Sequence, residues 1–156
     1  MKKYIMAAIV AFVAAPGVSN AAEVFDDWSV EKADGRCTAW TKPVSSAGET
    51  RQDAYLSIVN IPAEGIKNSV AFVYGKNGAG KVQAAATVDE RAFELLTFDT
   101  AAFAASGEPE AALITSMRRG AQTEVTWSEP DGSVSKDSYS LKGFTAAKAK
   151  IDGDCR

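Results

Sequence analysis

Thr123-Glu124-Val125-Thr126-Trp127-Ser128-Glu129-Pro130-Asp131-Gly132-Ser133-Val134-Ser135-Lys136-Asp137-Ser138-Tyr139-Ser140-Leu141 reads as two strands and the turn between them. Thr123, Val125 and Trp127 occupy alternate positions and so share one face of a strand. Glu129-Pro130-Asp131-Gly132 has the proline and glycine of a tight turn, and Ser133 to Leu141 runs back. The same period of two recurs upstream. Val82, Ala84, Ala86 and Val88 alternate with Lys81, Gln83, Ala85 and Thr87. Val70, Phe72 and Tyr74 share a face, as do Trp28, Val30 and Lys32. Arg36 to Thr41 and Ala54 to Val59 are further strands, the latter ended by Pro62, and Phe93 to Phe98 is apolar enough for a buried one.

Two segments break this pattern. Glu108-Pro109-Glu110 places a proline and two carboxylates where a helix's first turn favours them. Leu113, Ile114 and Met117 follow at helical spacing, and Arg118-Arg119-Gly120 supplies a basic last turn and a glycine stop. A second short helix is expected from about Thr145 to Ile151. The polar stretch Lys42 to Asp53, with Pro43, Ser45, Ser46 and Gly48, reads as a loop. Eight or so short strands, separated by turn signals, predict an all-β chain folded as a β-sandwich with one or two short helices.

The N-terminus sets the compartment. Lys2 and Lys3 precede an uncharged apolar run, Tyr4 to Ala15, which Pro16-Gly17 breaks before Ser19-Asn20-Ala21. This is the layout of a secretory signal peptide, with cleavage expected after Ala21. The apolar run is shorter than the roughly 20 residues that span a bilayer. Residues 1–21 are therefore read as a signal peptide and residues 22–156 as one domain, periplasmic or secreted, with association at the outer surface open. That domain carries 15 basic and 20 acidic residues, a net charge of −5. Such a surface disfavours nucleic acid and anionic lipid, so neither nucleic-acid binding nor stable membrane insertion after leader removal is expected. Cys37 and Cys155 are the only cysteines. In an oxidising compartment such a pair usually forms a disulfide, with two free thiols or an intermolecular bond as the other possibilities.

Several segments have the residues of a functional site, and each has a plainer reading. Gly75-Lys76-Asn77-Gly78-Ala79-Gly80-Lys81 has the glycine-lysine spacing of a phosphate-binding loop. Val82 stands where a hydroxyl must hold magnesium and a strand follows, so a hairpin turn is the better account. The chain has no histidine, which removes the usual general base and the commonest zinc ligand. Carboxylates alone can hydrolyse a glycosidic bond. Yet Asp26/Asp27 and Asp89/Glu90 are adjacent, so on a strand they point to opposite faces and read as surface acids. Asp152-Gly153-Asp154 is a fragment of a calcium site and reads as a polar turn. Arg118 and Arg119 are candidate interaction residues, against a plainer role capping their helix. Trp28, Trp40 and Trp127 read as core, with a ligand platform as the alternative. No catalytic residue, metal ligand or cofactor is expected.

One resemblance adds to this. Glu110-Ala111-Ala112-Leu113-Ile114-Thr115-Ser116-Met117-Arg118-Arg119-Gly120, then Thr126-Trp127-Ser128, then Asp137 to Ala147 resemble the C-terminal half of the invasion associated locus B (IalB) family. Phe25-Asp26-Asp27-Trp28-Ser29-Val30 resembles the family's start after the signal. The resemblance implies an exported bacterial protein, mainly alphaproteobacterial, with an immunoglobulin-like β-sandwich, and it supplies no catalytic residue. Many members have a second cysteine soon after the Trp strand, whereas Cys37 here stands alone, which leaves Cys155 as its partner within the chain. The expected function is non-enzymatic binding in the cell envelope, with an envelope protein, a glycan or a host surface as partner. A carboxylate-only hydrolase and a periplasmic stress or chaperone-like protein are the alternatives. Exposed edge strands and the loop around Pro43 to Gln52 are the expected location of the binding surface.

Overall fold

The computed structural model describes residues 21–47, 53–75 and 83–156. The signal-peptide reading and the phosphate-loop-like lysines therefore lie outside the described residues. Eleven strands and two helices appear among those that are described. The strands are β1 (Glu23–Phe25), β2 (Trp28–Ala33), β3 (Arg36–Thr41), β4 (Ser45–Ala47), β5 (Tyr55–Ile61) and β6 (Ile66–Val73). β7 (Ala84–Val88), β8 (Arg91–Phe98), β9 (Ala101–Phe103), β10 (Gln122–Ser128) and β11 (Val134–Ser140) follow. Helix α1 is Glu108–Arg119, the segment its proline, carboxylates and arginines predict, and α2 is Phe144–Asp154.

The chain is all-β with two short helices, as expected, and its layers are parts of one continuous antiparallel sheet. The order is β1-β2-β3-β5-β6-β9-β8-β7-β10-β11-β4. β8 makes the connection: Leu96–Phe98 pairs with β9, and Arg91–Leu95 pairs with β7. Apolar faces of the two layers meet inside. Phe72 on β6 packs edge-on against Tyr139 on β11, with ring centroids 6.0 Å apart. Tyr74 stacks on Trp127 of β10 at 5.1 Å. In the first layer Val30, Ala39, Ile58 and Val70 form one buried cross-strand row. In the second, small alanines of β7 leave room for bulk, and Ala84 sits opposite Trp127. Each large apolar side chain so buried contributes about 1.5–3 kcal/mol.

Four of the hairpins turn on two residues and begin with aspartate at positive φ: Asp26, Asp34, Asp89 and Asp99. Aspartate tolerates the left-handed region because its short side chain bonds to nearby backbone. The acid pairs Asp26/Asp27 and Asp89/Glu90 are thus turn residues, and tertiary pairing of their strands accounts for them. The segment Phe93 to Phe98, expected as a buried strand, lies in β8 with Leu96 and Phe98 60 % and 76 % exposed. Three further strands depart from the sequence reading. The stretch expected as a loop contains β4, and β1 and β9 were not expected. Each is only three residues long, too short to show alternation, and each exists because a longer strand pairs with it.

The helices seal the layers. α1 lies against β6, β7 and β8, while α2 lies against β1, β2, β3 and β5. Phe144 of α2 packs on Trp28 at 5.0 Å, and the Trp28 indole donates to the Ser140 carbonyl at 3.0 Å. Cys155, just past α2, is disulfide-bonded to Cys37 of β3. Gly143 begins α2 at φ 89°, where a Cβ would stand 1.9 Å from the Phe25 carbonyl oxygen. Gly143→Ala is therefore expected to destabilise by about 2 kcal/mol, combining left-handed strain with displacement of the β1–β2 turn. Urea unfolding checks this, and a loss below about 0.5 kcal/mol would show that the turn yields freely.

Candidate functional site

Alternation on β3 sends Cys37, Ala39 and Thr41 inward and Arg36, Thr38 and Trp40 outward. Glu31 of β2 and Tyr55 and Ser57 of β5 lie on the same outer face. Register puts Trp40 directly opposite Ser57. Lys42 follows β3, and Asp53 with Ala54 precedes β5. Together these residues line a groove of about 490 Å³, with Ser57 buried in its floor and Tyr55 38 % exposed at its wall. That size lies within the range of about 300–1,000 Å³ usual for small-ligand sites.

The indole of Trp40 is half-buried, and its Nε1 donates to Glu31 Oε1 at 3.2 Å. This bond fixes the ring's orientation on the surface. Arg36 Nε donates to Thr38 Oγ1 at 3.3 Å, so that guanidinium is also directed. The four charged side chains, Glu31, Arg36, Lys42 and Asp53, cancel in sign. A second hollow of about 560 Å³ lies over β7, β8 and β10 beside Phe93 and Trp127, and its lining contains one charged residue, Glu94.

The expectation that all three tryptophans are core is corrected for Trp40. Trp28 and Trp127 are buried, whereas Trp40 stands on the outer face of the first layer. Alternation shows which residues share a face, but packing of α2 on the Cys37 side decides which face is inside.

The arginine pair lies elsewhere. Arg118 and Arg119 are exposed in the last turn of α1 and do not line the groove. Arg118 Nη2 is 3.9 Å from Asp152 Oδ2 on α2, and the Arg118 carbonyl accepts from Thr145 Oγ1 at 3.5 Å. Asp152-Gly153-Asp154 lies in the last turn of α2 and not in a free turn. Its oxygens are occupied: Lys148 and Asn60 donate to the Asp152 carboxylate, Lys32 donates to the Asp154 carbonyl, and Lys150 pairs with the Asp154 carboxylate.

Beneath the helices is a polar cluster that the sequence reading missed. Lys148 is 1 % exposed and its ammonium bonds both oxygens of Asp152, one turn along α2. Burial alone would raise the Asp152 carboxyl, but bonds from Lys148 and Asn60 and the Lys148 and Arg118 charges hold it below the usual value. Glu110 of α1 accepts from the Val70 N–H at 3.1 Å. Burial pushes its carboxyl up, against the opposing Val70 bond and Lys148 charge. The i, i+4 spacing of Lys148 and Asp152 was visible in the chain, but their burial was not.

Among the described residues, no group of three or more histidine, cysteine or acidic side chains is placed to hold a metal ion. None of the described helices is long and apolar enough to cross a membrane.

The chain is thus an antiparallel, disulfide-clasped β domain with a groove on the outer face of one layer. The chain belongs to the invasion associated locus B (IalB) family, whose family model matches residues 28–152, from the first residue of β2 into the last turn of α2. No curated protein and no solved structure matches the chain.

Proposed function

We propose that the protein is an exported, non-enzymatic binding module of the bacterial cell envelope, and that it binds through the groove on the outer face of β2, β3 and β5. The orientation of Trp40 carries this reading. A large aromatic side chain has been placed on the surface, held by Glu31 and flanked by Tyr55 and Arg36, at a position that contributes little to the core. Export is supported by the leader-like pattern of residues 1–21 and by a disulfide, which persists in oxidising compartments. The groove is bordered by Lys42 and Asp53, which flank the loop around Pro43 to Gln52 where binding was expected.

A hydrolase working with carboxylates alone fits less well. Its acid needs a raised pKa, and Glu110, whose carboxyl is raised, lies under α1 and is bound to the Val70 N–H, outside the groove. A chaperone-like role draws on one observation: Leu96 and Phe98 of β8 are 60 % and 76 % exposed.

A photoreactive phenylalanine analogue in place of Thr38, in the groove, should yield a discrete crosslinked species in intact cells. The same analogue in place of Thr115, exposed on α1, should not. Adding Trp40→Ala should abolish the adduct at position 38. Equal crosslinking at both positions, or none at 38, would refute the groove as the binding surface.

A further inference from the structure

Resting on that reading of the groove, we infer that its ligand is an uncharged oligosaccharide, bound by ring stacking on Trp40 and Tyr55. Three features of the site converge on this chemistry.

The first is the pair of aromatics. Trp40 lies opposite Ser57, and Tyr55 is two residues along the same strand, so the two rings are diagonal neighbours on one face. Diagonal positions on adjacent strands are about 7–8 Å apart, which two neighbouring sugar rings of one chain can cover together. Sugar rings have apolar C–H faces and polar rims, and an indole with its N–H already committed to Glu31 offers the flat apolar surface such a face needs.

The second is backbone saturation. β3 and β5 each have a paired neighbour on both sides, while β1 covers β2 over Trp28–Val30. The floor of the groove, formed by β3 and β5, therefore has no free row of N–H and C=O groups, and a peptide cannot bind there by adding a strand. Recognition falls to side chains.

The third is the charge balance. Two carboxylates and two cations line the groove and cancel, so no field of one sign selects an ion. Planar carboxylate and guanidinium groups, with the hydroxyl of Thr38 between them, instead offer paired acceptors and donors that match adjacent sugar hydroxyls.

The test is titration of the purified protein with four probes, following tryptophan fluorescence and heat. The probes are hexamers of glucose, of N-acetylglucosamine and of galacturonate, and a mixed-charge hexapeptide. A neutral hexamer should bind, with affinity changing less than about twofold from about 0.05 to 0.5 M NaCl. Trp40→Ala and Tyr55→Ala should each weaken it by about tenfold or more, while Trp40→Phe, which keeps a stacking ring, should stay within about fivefold. Unchanged circular dichroism shows that the variants fold. Failure of both neutral hexamers to bind, preference for the galacturonate or peptide probe, or binding indifferent to Trp40→Ala overturns the inference. A specific adduct at position 38 with no sugar binding would overturn the ligand class alone and leave the groove as the binding surface. Loss of both would remove the two together.

Discussion

Replacing Cys37 and Cys155 together with serine should lower stability by about 4–5 kcal/mol, the largest effect expected of any local change in this protein. The bridge joins residues 118 apart in sequence, so its loss restores to the unfolded chain the freedom of nearly the whole domain. Against a typical total of about 5–15 kcal/mol, that is a large share. Both cysteines are buried, and the bond ties the end of α2 to the middle of the first layer. Loosening it should therefore also expose Trp28, against which Phe144 of α2 packs. The melting temperature should fall by roughly 15 °C, and reductant should lower the wild type toward the variant while leaving the variant unchanged. A loss below about 1 kcal/mol, or a wild type insensitive to reductant after unfolding and refolding, would show that the clasp contributes little.

Lys148→Met should cost about 3–4 kcal/mol at neutral pH. The ammonium is buried and serves Asp152 directly, and its charge also favours the ionised form of Glu110. Removing one partner of a buried pair leaves the other charge uncompensated, which costs more than the pair itself contributes. The estimate stays toward the lower end because Asp152 keeps 32 % of its side chain exposed and retains Asn60 and Arg118.

The pH dependence follows from the two directions of shift. The Asp152 carboxyl is held below its ordinary 3.8, so in the wild type its contribution is present above that pH and disappears as pH falls through the lowered value. The Glu110 carboxyl is raised above 4.5, so its contribution is present below that pH and is lost as pH rises through the raised value. Without Lys148 the Asp152 term shrinks and the Glu110 penalty grows. The difference between variant and wild type should therefore be greatest near neutral pH and should narrow toward pH 4. Adding Asp152→Asn should recover about 1–2 kcal/mol, since the unpaired charge is then gone. Denaturant unfolding across pH measures all three quantities. A flat difference, or no recovery in the double variant, would show that Lys148 acts through packing alone.

The parts of the fold that were legible in the chain are those with a strong local signal. α1 begins at Glu108 and ends at Arg119 because Pro109, Glu110 and the arginines act within single turns, whatever the helix later packs on. β7 and the β10–β11 hairpin follow from alternation that runs over five or more residues. The short strands were not legible. Ser45-Ser46-Ala47 has no apolar face, and its strand state comes from Lys136, Asp137 and Ser138 on the far side of the chain. Lys42 and Asp53, which border the groove, flank the loop around Pro43 to Gln52 that was expected to bind, while Trp40 was expected in the core. Arg118 and Arg119 stood out because they are adjacent cations, yet Arg118 pairs with Asp152 across the helix junction.

The chain by itself determined which residues share a face, where α1 starts and stops, and that one cysteine pair was available to close the domain. Such properties depend on periods of two and 3.6 and on turns, which act over a few residues. Only the tertiary structure decided which face of β3 is inside, whether Lys148 is buried, and how two carboxylates and two cations come to surround Trp40. Those outcomes depend on α2 closing over the Cys37 side of the sheet, a contact between residues more than a hundred positions apart.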